Sequence, residues 1–327
     1  MQRAQPAMEL PFGITCIDAD FHRPGLASTY LIQEGSHAAF VETGTRYSVP
    51  AMLDTLKRNR VLATEVEYVI VTHVHLDHAG GAGAIMQELP NAKLVVHPRG
   101  ARHMIDPTKL VEGSKVVYGE AAFLRTYGEI DPIPASRVVE AVDGLTILLG
   151  DRALKCFDTQ GHAKHHICIW DEKSRGIFTG DSFGISYREL DLNGQIYLFP
   201  STTPVQFDPE QAHKTVDRLA DLKPDRLFLT HFGMVSFHDR LREGMHRQLD
   251  AIVAFASNCS ETEGEARTRA LRASWHNMFL DELIAMGHDQ AEADKLVRTW
   301  MSMDQEINTQ GLEVWLDKLK EKSNLLS

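Results

Sequence analysis

Short apolar runs alternate with stretches of helical periodicity along the first two thirds of the chain. Residues 28–35 and 37–44 predict two strands joined by a Glu-Gly-Ser turn, because apolar and aromatic residues fill both runs. Residues 49–61 have apolar side chains at helical spacing and predict an amphipathic helix. Residues 67–72, EYVIVT, then predict a buried strand, followed by a short helix that ends at Pro90 and by the strand KLVVH.

The same alternation recurs in the following third of the chain. Four runs predict strands separated by turns: LTILL, ALKCFDT, HICIWD and GIFTGD. A helix follows, with Asp208 as its N-cap and Pro209 in its first turn, and the strand RLFLT comes after it. Two β-rich halves with flanking helices predict an α/β fold with two sheets packed face to face under outer helices, although periodicity alone leaves a doubly wound sheet open.

The pattern changes near Asp239, where the strand signals end. Four successive amphipathic helices are predicted over residues 240–256, 265–286, 290–308 and 312–322. We therefore predict one domain over residues 1–238 and an all-helical extension over residues 239–327. Large apolar residues of the extension are expected in a helical core or in a homodimer interface: Trp275, Met278, Trp300 and Met303. The extension is also a candidate lid over the active site.

Composition and charge narrow the classes of partner. Hydrophobic residues make up 43% of the chain and charged residues 24%, which is typical of a globular protein. The formal net charge of -11 argues against a nucleic-acid partner, because phosphate neutralisation needs a basic face. We predict neither a membrane span nor a signal peptide, since no apolar run is long enough. Four scattered cysteines without a CxxC pair favour the reducing cytoplasm.

A cluster of histidines follows the strand predicted at residues 67–72. The stretch THVHLDHAGG contains His73, His75, Asp77 and His78. Alternate residues of an extended turn face the same side, so the first two histidines can face one ion, and Asp77 and His78 a second. Imidazole and carboxylate suit Zn, Fe or Mn. A solvated turn is the alternative, but HxHxDH directly after a β-run and before small residues predicts a metal site.

Three more candidate ligands each follow a predicted strand. His162 comes after DTQG, Asp181 after FTG and His231 after RLFLT. Each is weak evidence alone, because an Asp after Gly is usually a turn residue or a helix cap. Their recurrence at successive strand ends predicts that they complete a site for two metal ions.

HxHxDH followed by a His, an Asp and a His resembles the ligand pattern of the metallo-β-lactamase superfamily of hydrolases. The match covers roughly residues 10–235 and implies an αββα sandwich, with the site on one edge between the two sheets. By this resemblance the ligands of the two divalent ions would be His73, His75 and His162 for one and Asp77, His78 and His231 for the other, with Asp181 bridging them. The segments HPRGARHMIDP, GHAKHH and THFG are similar to a glyoxalase-II-like branch, which is similar in turn to the quinolone-signal-response thioesterases.

The resemblance implies a metal-dependent hydrolase acting on a small ester-type substrate, with a thioester or a lactone favoured. Two adjacent cations would lower the pKa of a shared water, so that a metal-bridging hydroxide attacks while Asp77 orients it. Zn is the favoured metal, with Fe or Mn as alternatives. Two other functions stay open: a phosphodiesterase acting on a small phosphorylated molecule, and a non-enzymatic, metal-containing regulator that signals through its helical extension.

The loop at residues 182–204 follows Asp181 and is a candidate wall of the substrate pocket. Aromatic packing and an anion contact are expected from four of its residues: Phe183, Tyr187, Arg188 and Tyr197. The alternative is a loop that folds under its own aromatic side chains.

Several polar residues near the motifs are expected to be structural. Of His165 and His166, one is expected to pack inward, and the other to lie behind the ligands or at the surface. A structural role is also favoured for His97 and His103. Glu42 stands in a Glu-Thr-Gly turn where many superfamily members have Asp-Thr-Gly, and the sequence assigns it no role.

Overall fold

A computed structural model describes residues 7–202 and 205–326. The start of the chain, on which the prediction of no signal peptide partly rests, and the last two residues of the loop at 182–204 lie outside the described residues. Within the described residues the chain forms thirteen strands and eleven α-helices.

The strands are β1 (Ala7–Leu10), β2 (Ile14–Asp18), β3 (Ser28–Glu34), β4 (His37–Val41), β5 (Val66–Ile70), β6 (Lys93–Val96), β7 (Val138–Glu140), β8 (Thr146–Leu149), β9 (Arg152–Asp158), β10 (Ile167–Asp171), β11 (Gly176–Gly180), β12 (Arg226–Leu229) and β13 (Gly233–Ser236). The helices are α1 (Val49–Arg58), α2 (Leu76–Ala79), α3 (Ala82–Glu88), α4 (Pro98–Ile105), α5 (Thr108–Tyr118), α6 (Glu120–Tyr127), α7 (Pro209–Ala220), α8 (Asp239–Ser257), α9 (Gly264–Met286), α10 (Gln290–Trp300) and α11 (Ser302–Leu326). The strands predicted from the sequence are all present.

The strands form two sheets. One has the order β1-β2-β3-β4-β5-β6-β7 and the other β13-β12-β11-β10-β9-β8. Strands β4 to β7 are parallel to one another, as are β11 and β12, and the remaining pairs are antiparallel. Because parallel neighbours end at the same edge of a sheet, the residues that follow β4 and β5 meet there. These residues are Glu42 and the histidine cluster.

The two sheets pack face to face over an apolar core to which both contribute. Tyr30 of β3 contacts Phe178 of β11 and Phe228 of β12 edge-on, with ring centroids 5.3 and 5.7 Å away. Its hydroxyl donates a hydrogen bond to the carbonyl of Leu229, so the polar end of the ring also has a partner. Edge-to-face aromatic pairs add to the energy of the area that they bury, and these pairs help to fix one sheet against the other.

Helices α1, α3 and α4 cover the opposite face of the first sheet. Helix α1 has Pro50 in its first turn, where the missing N–H leaves no hydrogen bond unmade. It buries Met52 and Leu56, one turn apart, in a core that also contains Leu31 and Phe40 of the sheet. Central strands with apolar side chains on both faces need such a helical cover.

The chain divides into two compact units. The first consists of the chain up to Asp158, His165–Gly180 and Lys223–Phe237, and it contains both sheets. The second consists of Thr159–Lys164, Asp181–Leu222 and the chain from His238 onward, and it contains α7 to α11. The functional division into residues 1–238 and 239–327 stays a prediction.

The second unit has its own apolar core. Trp275 of α9 is fully buried and packs against Phe255 of α8 and Phe279, with ring centroids 5.5 and 5.3 Å away. Helix α7 begins as expected, because the carboxylate of Asp208 accepts a hydrogen bond from the backbone N–H of Gln211 at 3.1 Å. Within the described residues, every helix is too short or too polar to span a membrane.

One helix boundary differs from the sequence pattern, which predicts separate helices over residues 290–308 and 312–322. The break lies instead at Met301, and α11 continues through Gly311. A Cβ at Gly311 would lie 2.1 Å from the carbonyl oxygen of Thr202. The glycine therefore permits a close backbone contact, and it does not end the helix.

Candidate metal centre

Five of the predicted ligands lie in the first unit. The chain leaving β5 reaches His73 and His75, the short helix α2 carries Asp77 and His78, and the chain leaving β12 reaches His231. His73 and His78 are fully buried. Buried imidazoles need polar partners, so their surroundings decide whether they can bind an ion.

Asp77, His78 and His231 converge on one point. The Oδ2 atom of Asp77 lies 3.6 Å from Nε2 of His78 and 3.4 Å from Nε2 of His231. These distances are long for hydrogen bonds. Two ligand atoms about 2.0–2.1 Å from one tetrahedral ion lie about 3.3 Å apart, which is close to the spacing here. The donor atoms of the trio, all within 4.8 Å of one another, therefore fit a divalent metal ion.

The other nitrogen of each ring is held in place by the protein. Nδ1 of His78 lies 3.1 Å from Oε1 of Glu42, and Nδ1 of His231 lies 2.8 Å from the carbonyl oxygen of Leu26. A carboxylate or carbonyl accepts a hydrogen bond, so it keeps the proton on Nδ1 and leaves the lone pair on Nε2. Both rings therefore direct a lone pair towards the side of Asp77.

Glu42, to which the sequence assigns no role, is fully buried behind the centre. Besides His78 it accepts hydrogen bonds from the backbone N–H and the hydroxyl of Thr72, at 3.2 and 2.5 Å, and from the hydroxyl of Thr230 at 3.1 Å. Its backbone is in the left-handed region, with φ of 64°. This conformation costs a non-glycine residue about 1–2 kcal/mol, which the buried hydrogen bonds offset.

The same carboxylate also orders the protons around His73. Because the Thr72 hydroxyl donates to Glu42, its oxygen is left to accept from Nδ1 of His73, 3.0 Å away. Nε2 of His73 then carries the lone pair, and it lies 2.8 Å from Nδ1 of His75. Glu42, His73 and His78 form a further group with donor atoms within 4.8 Å of one another.

The other two predicted ligands belong to the second unit. Nε2 of His162 lies 3.5 Å from Oδ2 of Asp181, which is again the spacing of two ligands of one ion. The hydroxyl of Ser182 donates to the carbonyl of Thr159 at 2.9 Å, and this bond ties the two ligand-bearing segments together. Gly161, with φ of 131°, brings the first segment against the backbone of Ala212 in α7.

Residues 180–184, GDSFG, also match the pattern GxSxG of serine hydrolases. In a nucleophile elbow the serine is exposed at a sharp turn between a strand and a helix. Here Ser182 is buried, with 7% of its surface exposed, and the strand β11 leads into an irregular loop. The structural context of a nucleophile elbow is therefore missing around Ser182.

The remaining histidines near the motifs have structural contacts. His166 is fully buried and stacks on His73, with ring centroids 4.8 Å apart, so it is the member of its pair that packs inward. The ring of His165 lies 5.6 Å from that of His75. His97 caps α4 by accepting a hydrogen bond from the N–H of Arg99, and burial lowers its pKa.

The candidate substrate residues of the loop at 182–204 are mostly buried within the second unit. Phe183, Tyr187 and Tyr197 are each less than 3% exposed, and the hydroxyl of Tyr187 donates to Asp304 at 2.9 Å. Arg188 lies 3.3 Å from Asp191. These contacts hold the loop against α11 and against itself, and a role in substrate binding stays a prediction.

Two tyrosines that no sequence motif singles out lie near Asp77. Burial, and then the negative charge of Asp77, raise the pKa of Tyr127 above its ordinary value. Burial first, with a further contribution from the same carboxylate, raises the pKa of Tyr118. The ring centroids of Tyr118 and Tyr127 lie 5.9 Å apart, and the ring centroids of Phe21 and Tyr127 lie 6.1 Å apart. They form an aromatic wall, defined by Phe21, Tyr118 and Tyr127, on the Asp77 side of the first unit.

The sequence model of the metallo-beta-lactamase superfamily matches residues 22–231, a span that contains all seven predicted ligands. The chain belongs to this superfamily. It is 26% identical over 219 residues to the metallo-beta-lactamase fold-containing protein ST1585 of Sulfurisphaera tokodaii, covering 65% of this chain and 75% of that protein. The crystal structure of ST1585 aligns with a TM-score of 0.60 at 22% identity, covering 92% of this chain and 98% of the other. The predicted αββα metallo-β-lactamase fold with a helical C-terminal region is confirmed.

Two further relatives of this superfamily member carry enzyme names. The chain is 25% identical over 174 residues to a hydroxyacylglutathione hydrolase of Francisella tularensis subsp. novicida, covering 51% of this chain and 54% of the relative. It is 27% identical over 191 residues to the acyl-coenzyme A thioesterase MBLAC2 of Bos taurus, covering 52% of this chain and 63% of the relative. These similarities support a hydrolase of the glyoxalase-II-like branch that the sequence motifs predict.

Proposed function

We propose that the protein is a metal-dependent hydrolase that cleaves a small thioester. The observation that carries the proposal is the convergence of Asp77 on Nε2 of His78 and Nε2 of His231, at 3.6 and 3.4 Å. Membership of the superfamily supports hydrolysis, and the relatives named as a thioesterase and as a hydroxyacylglutathione hydrolase support a thioester substrate.

In this proposal the centre holds two divalent ions. Their ligands would be His73, His75 and His162 for one ion and Asp77, His78 and His231 for the other, and Asp181 would be shared. The donor set supports borderline metals, with zinc favoured and iron or manganese as alternatives. The support for a shared role of Asp181 is the order of the motifs along the chain and its 3.5 Å distance from Nε2 of His162.

The bound ions would supply a Lewis acid for the thioester carbonyl and lower the pKa of water towards neutrality. The protein contributes orientation. Glu42 and the Leu26 carbonyl hold the Nδ1 protons of His78 and His231, so neither ring can flip. We assign to the carboxylate of Asp77 the task of orienting the attacking water by accepting its hydrogen bond.

The aromatic wall supports an acyl group with apolar surface. Tyr118 is half exposed, and tyrosine hydroxyls are protonated at neutral pH because their ordinary pKa is about 10. Aromatic faces bury apolar surface well, whereas hydroxyl groups can donate to an oxygen of the substrate. A thioester with a medium-length or aromatic acyl group fits such a wall better than a charged phosphodiester does.

The test is hydrolysis of a panel of thioesters, lactones, aryl esters and phosphodiesters by zinc-reconstituted protein. We expect selective turnover of thioesters, and a loss of more than about 100-fold in kcat/KM in Asp181→Ala and Asp77→Asn, because replacing even the hydrogen-bond partners of metal ligands costs 10- to 100-fold. Asp151→Asn, in the exposed turn between β8 and β9, is the matched control and should keep full activity.

Selective turnover of phosphodiesters, abolished in the same variants, would replace the thioester by a phosphate substrate. Equal background rates of hydrolysis in the wild type and in the variants across the panel would contradict a hydrolase. They would favour a regulator that acts through the helical extension.

A further inference from the structure

Two histidines of the second unit face each other between helices α7 and α8. The Nδ1 atoms of His213 and His246 lie 2.6 Å apart with hydrogen-bond geometry. The two ring planes are parallel within 4°, and the ring centroids lie 4.9 Å apart. The two ring planes can be no farther apart than the two Nδ1 atoms, which is 2.6 Å, whereas the ring centroids are 4.9 Å apart. The rings are therefore displaced sideways and meet edge to edge. Both Nδ1 atoms therefore point into the same gap.

A carboxylate holds the other nitrogen of each ring. Nε2 of His246 lies 2.8 Å from Oδ1 of Asp217, and Nε2 of His213 lies 3.3 Å from Oδ1 of Asp250. The arrangement is crossed: each helix supplies one His and, four residues later, one Asp that contacts the His of the other helix. A carboxylate beside Nε2 retains the proton there, which leaves Nδ1 as the atom with the lone pair.

Two lone pairs at this distance repel unless a cation lies between them. A shared proton fits the observed spacing. Two nitrogens about 2.0–2.1 Å from one metal ion lie about 2.9 Å apart at a right angle and about 3.3 Å apart at the tetrahedral angle. The right angle comes closer than the tetrahedral angle to the observed 2.6 Å, and among the ions that accept imidazoles at a right angle Ni(II) and Cu(II) bind most tightly.

The charges around the pair favour a divalent cation. Arg242 donates to Asp217 from Nε at 2.9 Å and from Nη2 at 2.6 Å, and its Nη1 lies 3.7 Å from Asp221. Three carboxylates and one guanidinium therefore surround the two imidazoles, which leaves an excess of negative charge. The side chains of His213 and His246 are 29% and 25% exposed, so an ion can reach the gap from solvent.

We propose that His213 and His246 form a second metal site, separate from the HxHxDH centre, that binds one Cu(II) or Ni(II) ion as a chelate between α7 and α8. The ion takes the place of the proton shared by the two Nδ1 atoms, and that proton is released to solvent. Asp217 and Asp250 keep their hydrogen bonds to Nε2, and the remaining coordination positions are filled by water. Because the ligands come from two helices, the loaded site stabilises the second unit against unfolding.

The test is titration of zinc-loaded protein with Cu(II), followed by electron paramagnetic resonance. Zinc fills the HxHxDH centre and gives no signal of its own. We expect one equivalent of Cu(II) to bind with the splitting pattern of two imidazole nitrogens and to raise Tm. His213→Gln and His246→Gln should each lose that equivalent and the rise in Tm, without a change in thioester hydrolysis.

His276 of α9 is the matched control. Its Nε2 lies 3.0 Å from Asp294, as in the pair, but its Nδ1 faces the amide of Gln305 at 3.4 Å, where the pair has a second imidazole. His276→Gln should therefore keep the Cu(II) equivalent. An unchanged two-nitrogen signal in either His213→Gln or His246→Gln, or a folded wild type without that signal, would overturn the proposal and leave a shared proton in the gap.

Discussion

The Oε1 atom of Glu42 lies 3.1 Å from Nδ1 of His78, in a buried hydrogen bond directly behind the HxHxDH motif. The same oxygen accepts from the hydroxyls of Thr72 and Thr230, the residues that precede His73 and His231. One carboxylate therefore contacts α2 and the residues that follow β5 and β12, all of which carry predicted ligands. Its function in this account is to orient the imidazoles.

Replacing Glu42 by Gln should weaken metal binding. The amide places an N–H₂ group among four donors, so the bonds that orient His78 and His73 are partly lost. We expect a loss of about 10- to 100-fold in zinc affinity, the range found when hydrogen-bond partners of metal ligands are replaced. The zinc affinity is measured by competition with a chromophoric chelator. Glu67, which contacts His37 away from the centre, provides the control. Glu67→Gln should bind zinc with the affinity of the wild type. Equal zinc affinities in Glu42→Gln and Glu67→Gln would contradict the role of Glu42.

Tyr118 should select for the acyl group of the substrate. Because half of its surface is exposed, Tyr118→Ala should lower Tm very little. We expect kcat/KM to fall about 2- to 13-fold for aromatic and medium-chain thioesters, since an aromatic contact is worth about 0.5–1.5 kcal/mol, and to stay constant for acetyl thioesters. Tyr47, which is 57% exposed and donates to the carbonyl of Leu124, is the control. A uniform loss over all chain lengths in Tyr118→Ala would argue against an acyl contact.

Two helical glycines should respond in opposite ways to alanine. A Cβ at Gly113 of α5 meets nothing within 4 Å, so Gly113→Ala should stabilise the protein by about 0.5–1 kcal/mol through the lower entropy of the unfolded chain. Gly311→Ala should destabilise it, because the new methyl group would lie 2.1 Å from the Thr202 carbonyl oxygen. Thermal unfolding measures the Tm of both variants. A raised Tm in Gly311→Ala would show that the close contact between Gly311 and the Thr202 carbonyl is absent.

The cysteines should be unreactive in the native state. All four are buried thiols, and burial raises the pKa of Cys16 and of Cys156 to about 12. A thiol reagent attacks the thiolate, so at pH 8 we expect slow labelling in the native protein and four reactive thiols per chain after denaturation. Because the native pKa lies above the ordinary 9.0, these groups should also lower the stability as the pH rises from 9 towards 12. Rapid labelling of the native protein would contradict their burial.

The sequence predicts the strands and the ligand positions for a physical reason. Alternating and helical periodicities record which face of each element is buried, and polar residues at strand ends stand out against apolar runs. His231 can be assigned in this way because RLFLT ends directly before it. A lone Glu42 carries no such signal, since its importance depends on β4 and β5 being parallel neighbours, which is a long-range property.

The residues that shape the substrate side are the least predictable. Tyr118 and Tyr127 lie on α5 and α6, far along the chain from Asp77, and only the folded chain brings their rings near that carboxylate. The loop aromatics stand next to Asp181 in the sequence, yet Tyr187 and Tyr197 are buried within the second unit. Sequence proximity to a ligand does not show which side chains of a long loop are exposed, and the role of these residues in substrate binding stays a prediction.

The most direct test of the account is the rate of thioester hydrolysis by metal-depleted protein before and after zinc is added back. We expect a background rate without metal, and recovery that is complete once two equivalents of zinc fill the HxHxDH centre. Thioester hydrolysis that persists unchanged after the metal has been removed, or that no added zinc, iron or manganese restores, would contradict it.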